Sequence, residues 1–141
     1  MKTLNIYFKF ATALAFVGWL FLIFFPSFSQ LVELVVFIIV GLLGLVYGYL
    51  LFFKKNNDTT IYPKGSFTSL EGVINLFKNP KGVLIGWVHY LAFDLMIGLY
   101  IKQEAMSIGM SHWLQIPFFL LTFILGPLGL LLFFCLKIVM F

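Results

Sequence analysis

Four apolar runs of membrane-spanning length dominate this chain of 141 residues. They extend from about Leu4 to Phe25, Leu31 to Phe53, Gly82 to Ile101 and Trp113 to Leu136. A bilayer core needs roughly 20 consecutive apolar residues per helix. Composition agrees, with 62% hydrophobic and only 10% charged residues, where a soluble domain carries about 25% charged. A soluble globular enzyme, a disordered chain and an ordinary nucleic-acid binder are thereby excluded. The expected fold is an all-α integral membrane protein, one domain over residues 1–141. It is a four-transmembrane-helix bundle with a short interfacial helix between spans two and three.

Lysine placement carries the topology. Every basic residue is Lys, and the net charge is +4. If all four runs cross, the N-terminus, the connection between runs two and three, and the C-terminus share a side. That side holds Lys2, Lys9, Lys54, Lys55, Lys64, Lys78, Lys81 and Lys137, and the other holds Lys102 alone. The bias puts both termini in the cytoplasm. The first run also has the basic start and the small-residue Ser27-Phe28-Ser29 stretch of a secretory signal. Its apolar part, Phe10 to Phe25, is long for one and ends crowded with Trp19, Phe21, Phe24 and Phe25, so a retained span is expected. Cys135 is the single cysteine, which rules out an intrachain disulfide and a multi-cysteine metal site.

The connection after the second run has its own pattern. Asn56, Asn57, Asp58 and Pro63-Lys64-Gly65 read as loop and turn. Thr68 and Glu71 have capping-box spacing. Leu70, Val73, Ile74 and Phe77 form one apolar face, and Pro80 ends the pattern. An amphipathic helix over about 69–78 lies on the inner interface. It leads the chain into the third span or gates lateral entry of a lipid-like ligand.

An acidic residue near the centre of a membrane helix costs about 2.5–3.5 kcal/mol on insertion scales. Asp94 is the residue in that position, so it leads the candidate site. It serves either as a carboxyl hydrogen-bonded across the bundle, or as an acid, base, ion ligand or proton relay. His89 is five residues earlier, about 140° around the helix and about 7.5 Å along it, so the two cannot bond directly. Asp94 shares its face with Trp87, Tyr90 and Gly98; His89 shares another with Gly86, Phe93 and Met96. A straight fourth span brings Thr122 to the depth of Asp94 and Gly126-Pro127 to that of His89. Pro127 has no N–H, so the carbonyl of Phe123 loses its helical partner. Gly126, Pro127 and Gly129 would kink the helix and open a cavity. His89, Asp94, His112, Glu104 and Glu33 have no metal-site spacing, and no metal is expected.

Around these residues the chain resembles a known family. Phe77, the segment from Trp87 through Val88, His89, Tyr90, Leu91, Ala92 and Phe93 to Asp94-Leu95, and Gly126-Pro127-Leu128-Gly129-Leu130-Leu131 are similar to the abscisic-acid-deficient-four-like family. Trp19, Pro26 and Tyr49-Leu50-Leu51 also match its pattern. The resemblance implies a small membrane protein, since plant members serve neoxanthin synthesis in chloroplasts. That reaction rearranges an epoxy-carotenoid to an allene. It needs an acid for the epoxide oxygen and a base for a carbon-bound proton, with no cofactor. His89 and Asp94 are the expected catalytic pair, and Trp87, Tyr90, Thr122 and Pro127 the expected ligand contacts. Without a transit segment, the chain reads as a bacterial-type member in the cytoplasmic (inner) membrane. Its partners are then the bilayer and an apolar isoprenoid or carotenoid, with a protein partner or a second copy compatible and nucleic acid excluded. A non-catalytic accessory subunit and a small proton-coupled transporter are the competing functions.

Overall fold

The computed structural model describes residues 1–54 and 60–140. The loop reading for Asn56 to Asp58 falls outside them. The described residues form five helices and no strand: α1 (Lys2–Phe24), α2 (Ser29–Gly48), α3 (Leu70–Lys78), α4 (Pro80–Ser107) and α5 (His112–Met140). A π-helical turn, Tyr49–Phe53, extends α2. α1, α2 with its extension, α4 and α5 are each long and apolar enough to cross a membrane.

Small and branched residues at helical spacing set the packing. α1 buries Ala11, Ala15, Gly18, Trp19 and Leu22, and α2 buries Val32, Val36, Ile39 and Leu43. Each set is one stripe at three- and four-residue steps. The small residues of α1 let α4 approach closely. Leu95 seats over Gly18, and Trp19 over Gly98. α4 packs against α1, α2 and α5, whereas α2 and α5 make no close backbone approach among the described residues. The bundle is therefore a central α1–α4 pair flanked by α2 and α5, not a closed ring of four.

α4 starts on two local signals. Asn79 caps it, Oδ1 accepting from the Lys81 backbone N–H at 2.9 Å, and Pro80 opens the first turn. The Lys81 ammonium reaches the Lys54 carbonyl at 2.6 Å, tying the end of α2 to the start of α4. α3 is capped by Ser69, whose Oγ accepts from the Gly72 N–H at 3.1 Å, rather than by Thr68, which bonds Ser66 Oγ. The helix starts at Leu70 accordingly. Leu70 and Ile74 of its apolar stripe are exposed, while the partly exposed Phe77 ring lies against Gly86 of α4.

The last run departs from expectation. α5 is not one rod: Leu125 (φ −129°, ψ 30°) and Gly126 (φ 13°, ψ −84°) are non-helical. Residues 127–140 turn back along residues 112–124. The rings of Phe118 and Phe133 lie 5.7 Å apart, although 15 residues of straight helix would separate their Cα atoms by about 22 Å. Lys137 forms an ion pair with Glu104 at the far end of α4. Each half is about 20 Å long, short of the roughly 30 Å hydrocarbon core. α5 is a helical hairpin whose tip stops halfway along α4. Lys137 consequently joins Lys102 at one end of the bundle, while Lys2, Lys54, Lys78 and Lys81 occupy the other. Met1 and Met140 thus lie toward opposite ends of the bundle.

The physical cause is local. Pro127 removes the N–H that would bond the Phe123 carbonyl, and its ring blocks the preceding turn. Gly129 then permits the return. A Cβ there would meet the Thr122 backbone, with N at 2.5 Å and Cα at 2.7 Å, and collide with Thr122 Oγ1.

Candidate functional site at the hairpin tip

Asp94 stands at the middle of α4 and faces the tip. It is 9% exposed, and its Oδ2 has no hydrogen-bond partner among the described residues. Gly126 is the surface it packs on. A Cβ at that position would come to 2.5 Å from Oδ1 and 3.0 Å from Oδ2. Only the absence of a side chain at Gly126 allows the carboxyl to sit there. One turn of the hairpin away, Thr122 is fully buried, and its Oγ1 also lacks a partner. Two orphaned oxygens thus flank Gly126 and Gly129. Buried polar atoms without partners are costly and mark sites that call for an explanation.

Tyr90 holds the tip in place. Its hydroxyl reaches the Phe123 carbonyl at 3.0 Å and the Ile124 carbonyl at 3.3 Å. The first is the carbonyl that Pro127 deprives of a helical partner. Non-helical backbone at membrane depth needs such a partner from neighbouring protein. Below Tyr90 the same stripe of α4 carries Trp87. The two rings lie 5.4 Å apart, and the indole N–H donates to Thr12 Oγ1 of α1 at 2.9 Å. Phe8 stacks on the other side of Trp87 at 5.6 Å.

Because the hairpin stops halfway, the α1–α4 face beneath it is uncovered. A groove of about 370 Å³ lies there, lined by Leu4, Asn5, Phe8, Val83, Leu84 and Trp87 among others. It ends at Trp87, about two turns of α4 before Asp94. The lining is almost wholly apolar, and Trp87 forms its upper wall.

His89 is elsewhere. It is exposed on the opposite side of α4, stacked on Phe93 at 4.5 Å and 6.0 Å from the Tyr47 ring. It lines a second apolar groove, of about 500 Å³, with Val40, Gly44, Met96 and Tyr100. The 140° between His89 and Asp94 is realised as two separate environments. Tyr90 and the Gly126-Pro127 tip lie beside Asp94 with Thr122 one turn away; Trp87 lies about two turns below, against Tyr90 and Phe8, and His89 lies apart. Depth also changes from a straight-span reading: Gly126-Pro127 meets Asp94 rather than His89. Among the described residues no three His, Cys, Asp or Glu side chains cluster to hold a metal ion. His112 ties α5 to α1, its Nε2 donating to the Ile23 carbonyl at 2.7 Å.

Two features were missed at the sequence level. One is the reversal at Leu125–Gly126, although Gly-Pro-x-Gly marked the place. The other is Gln115, buried and donating to the Met110 carbonyl at 3.0 Å, which anchors the start of the hairpin.

Fold and site together define an all-helical protein of membrane-length apolar helices, with a folded-back hairpin presented to one buried carboxyl. The chain belongs to the ABA DEFICIENT 4-like family, whose sequence profile matches residues 6–133. That match takes in α1 through most of the hairpin, including Trp87, Asp94 and Gly126. Neither the comparison with curated proteins nor that with solved structures gave a match.

Proposed function

We propose that this protein sits in the cytoplasmic membrane and modifies a carotenoid or related isoprenoid by acid–base isomerisation at Asp94. The observation that carries the proposal is the buried Asp94 carboxyl, whose Oδ2 has no partner among the described residues, about two turns of α4 beyond an apolar groove that ends at Trp87. The groove holds the long apolar body, and Trp87 packs against its conjugated or branched chain. The polar end group replaces the tip carbonyls as partner of the Tyr90 hydroxyl and so reaches Asp94. In an epoxide, one oxygen of the carboxyl gives its proton to the epoxide oxygen as the C–O bond breaks. The other oxygen takes a proton from the adjacent carbon as the new C=C bond forms. Atoms balance, and the carboxyl returns to its starting form. His89 has no place in this step; its groove binds a second apolar molecule or the far end of the same one.

The lysine-rich end faces the cytoplasm on this reading, which puts the C-terminus outside. Family membership supports the isoprenoid substrate class. Expression in a carotenoid-producing host, followed by pigment analysis, tests the proposal. Asp94→Asn abolishes the product, and His89→Ala leaves most of it. An unchanged product in Asp94→Asn would sink the assignment.

One observation favours a second reading. Half-helices ending at a buried acidic group near mid-depth are how many transporters build their ion sites. A proton-coupled flux in proteoliposomes that collapses in Asp94→Asn, with no pigment conversion, would select it.

A further inference from the structure

Lys102 is the most deeply buried charged side chain among the described residues. It is 2% exposed, yet among the described residues no carboxylate lies within ion-pair distance of it. The ion pair among the described residues is Lys137–Glu104, and that one is a third exposed. Buried charges are ordinarily paired or hydrogen-bonded, because removing them from water is expensive. Among the described residues the fold supplies no ion-pair partner for the Lys102 ammonium, which is left to meet one in the pocket it lines.

Its surroundings define that partner. Lys102 lines a pocket of about 190 Å³ with Ser29, Glu33, Leu99, Gln103 and Met106. The volume corresponds to about six waters. The pocket lies where α2 begins and α4 nears its end, on the opposite flank of α4 from Glu104 and Lys137. It combines one cation, one anion that does not reach it, a hydroxyl and an amide. A simple anion would meet Glu33 as well as Lys102. A simple cation would meet Lys102 as well as Glu33. The set matches a zwitterion carrying a phosphodiester and a primary ammonium a few atoms apart.

We propose that this pocket binds the headgroup of an aminophospholipid from the leaflet opposite the lysine-rich end. Lys102 takes the phosphodiester, with Ser29 and Gln103 as further donors, and Glu33 takes the ammonium. Leu99 and Met106 meet the first carbons of the lipid. The inference rests on the membrane-embedded reading above but not on the chemistry at Asp94, which is a separate site. Bound there, the lipid bridges α2 and α4 at the end where α2 has no contact with α5.

The test uses the full chain, delipidated in detergent and offered phosphatidylethanolamine, phosphatidylcholine or phosphatidylglycerol with identical acyl chains. Native mass spectrometry reads the occupancy. Phosphatidylethanolamine is retained at least tenfold better than either of the others. Lys102→Met lowers retention of all three to one level. Glu33→Gln keeps phospholipid binding but removes the preference for the ethanolamine headgroup. Soluble glycerophosphoethanolamine, added in excess, competes only weakly, because the lipid chains hold the headgroup in place; full displacement would assign the pocket to a free phosphodiester. Equal retention of the three lipids by the wild type, or unaltered retention in Lys102→Met, would overturn the proposal. Glu33→Gln covers the case in which Lys102→Met fails to fold. Pigment conversion measured alongside separates this result from failure at Asp94, since Asp94→Asn keeps the lipid preference.

Discussion

Replacing Gly126 and Gly129 by alanine distinguishes a folded-back α5 from a straight one by the sign of the effect. In a continuous helix, each Gly→Ala change stabilises by about 0.8–1.0 kcal/mol. In the hairpin, both added methyl groups collide. Overpacking of this kind costs about 1–3 kcal/mol. The two sites divide that range. At Gly126 the nearest atoms are the Asp94 carboxyl, from 2.5 Å, and a side-chain end can swing aside. The cost there is about 1 kcal/mol, at the low end of the overpacking range. At Gly129 the nearest backbone atoms are Thr122 N and Cα, at 2.5 and 2.7 Å. Backbone inside a hairpin cannot yield without separating the halves, so the cost is about 3 kcal/mol. The measurement is reversible unfolding of each variant in the same detergent micelles. The expected order is wild type, then Gly126→Ala, then Gly129→Ala. A stabilised variant of either kind would refute the hairpin. Gly126→Ala costing more than Gly129→Ala would refute the assignment of which neighbour can move. Gly126→Ala also displaces Asp94, so pigment conversion falls further than stability does.

Three other outcomes follow from the same geometry. Cysteines at Phe118 and Phe133, in a Cys135→Ser background, are joined within one chain by a short bifunctional thiol reagent, because the two rings they replace are 5.7 Å apart, whereas a straight α5 would hold the two positions about 22 Å apart; gel mobility after proteolysis between the halves reads this, and no cross-link means a straight α5. Cysteine labels at Met1 and Met140 react from opposite sides of sealed vesicles, and reaction from one side only contradicts the folded-back path. Tyr90→Phe removes the hydroxyl at 3.0 Å from the Phe123 carbonyl and costs about 0.5–1.5 kcal/mol. Amide exchange then rises in residues 125–130 and stays unchanged in α1; a uniform rise would point to global loosening instead.

The sequence by itself determined which segments are helical and which are apolar enough for a membrane. Hydrophobic run length and capping chemistry are local properties, so α1, α2 and the start of α4 lie close to where their residues place them. Asp94 stood out for a similarly local reason, since one carboxyl among apolar neighbours needs no neighbour from another helix to be conspicuous. The face it shares with Trp87 and Tyr90 is also local, being a matter of helical angle. Pro127 foretold the freed Phe123 carbonyl, because the missing N–H is covalent. Which group would satisfy that carbonyl depended on another helix, and only the fold assigns it to Tyr90.

The tertiary structure decided everything that turned on the path of α5. A run of apolar residues has the same hydropathy whether it crosses straight or doubles back, so composition could not separate the two. Steric room did separate them: Gly129 lets the return half lie on the Thr122 backbone, and Gly126 makes space for the Asp94 carboxyl. That single reversal moved Lys137 to the end of α4, put the described chain ends at opposite ends of the bundle, and left the groove below Trp87 open. It also put the glycine–proline tip beside Asp94, while His89 faced a different groove altogether.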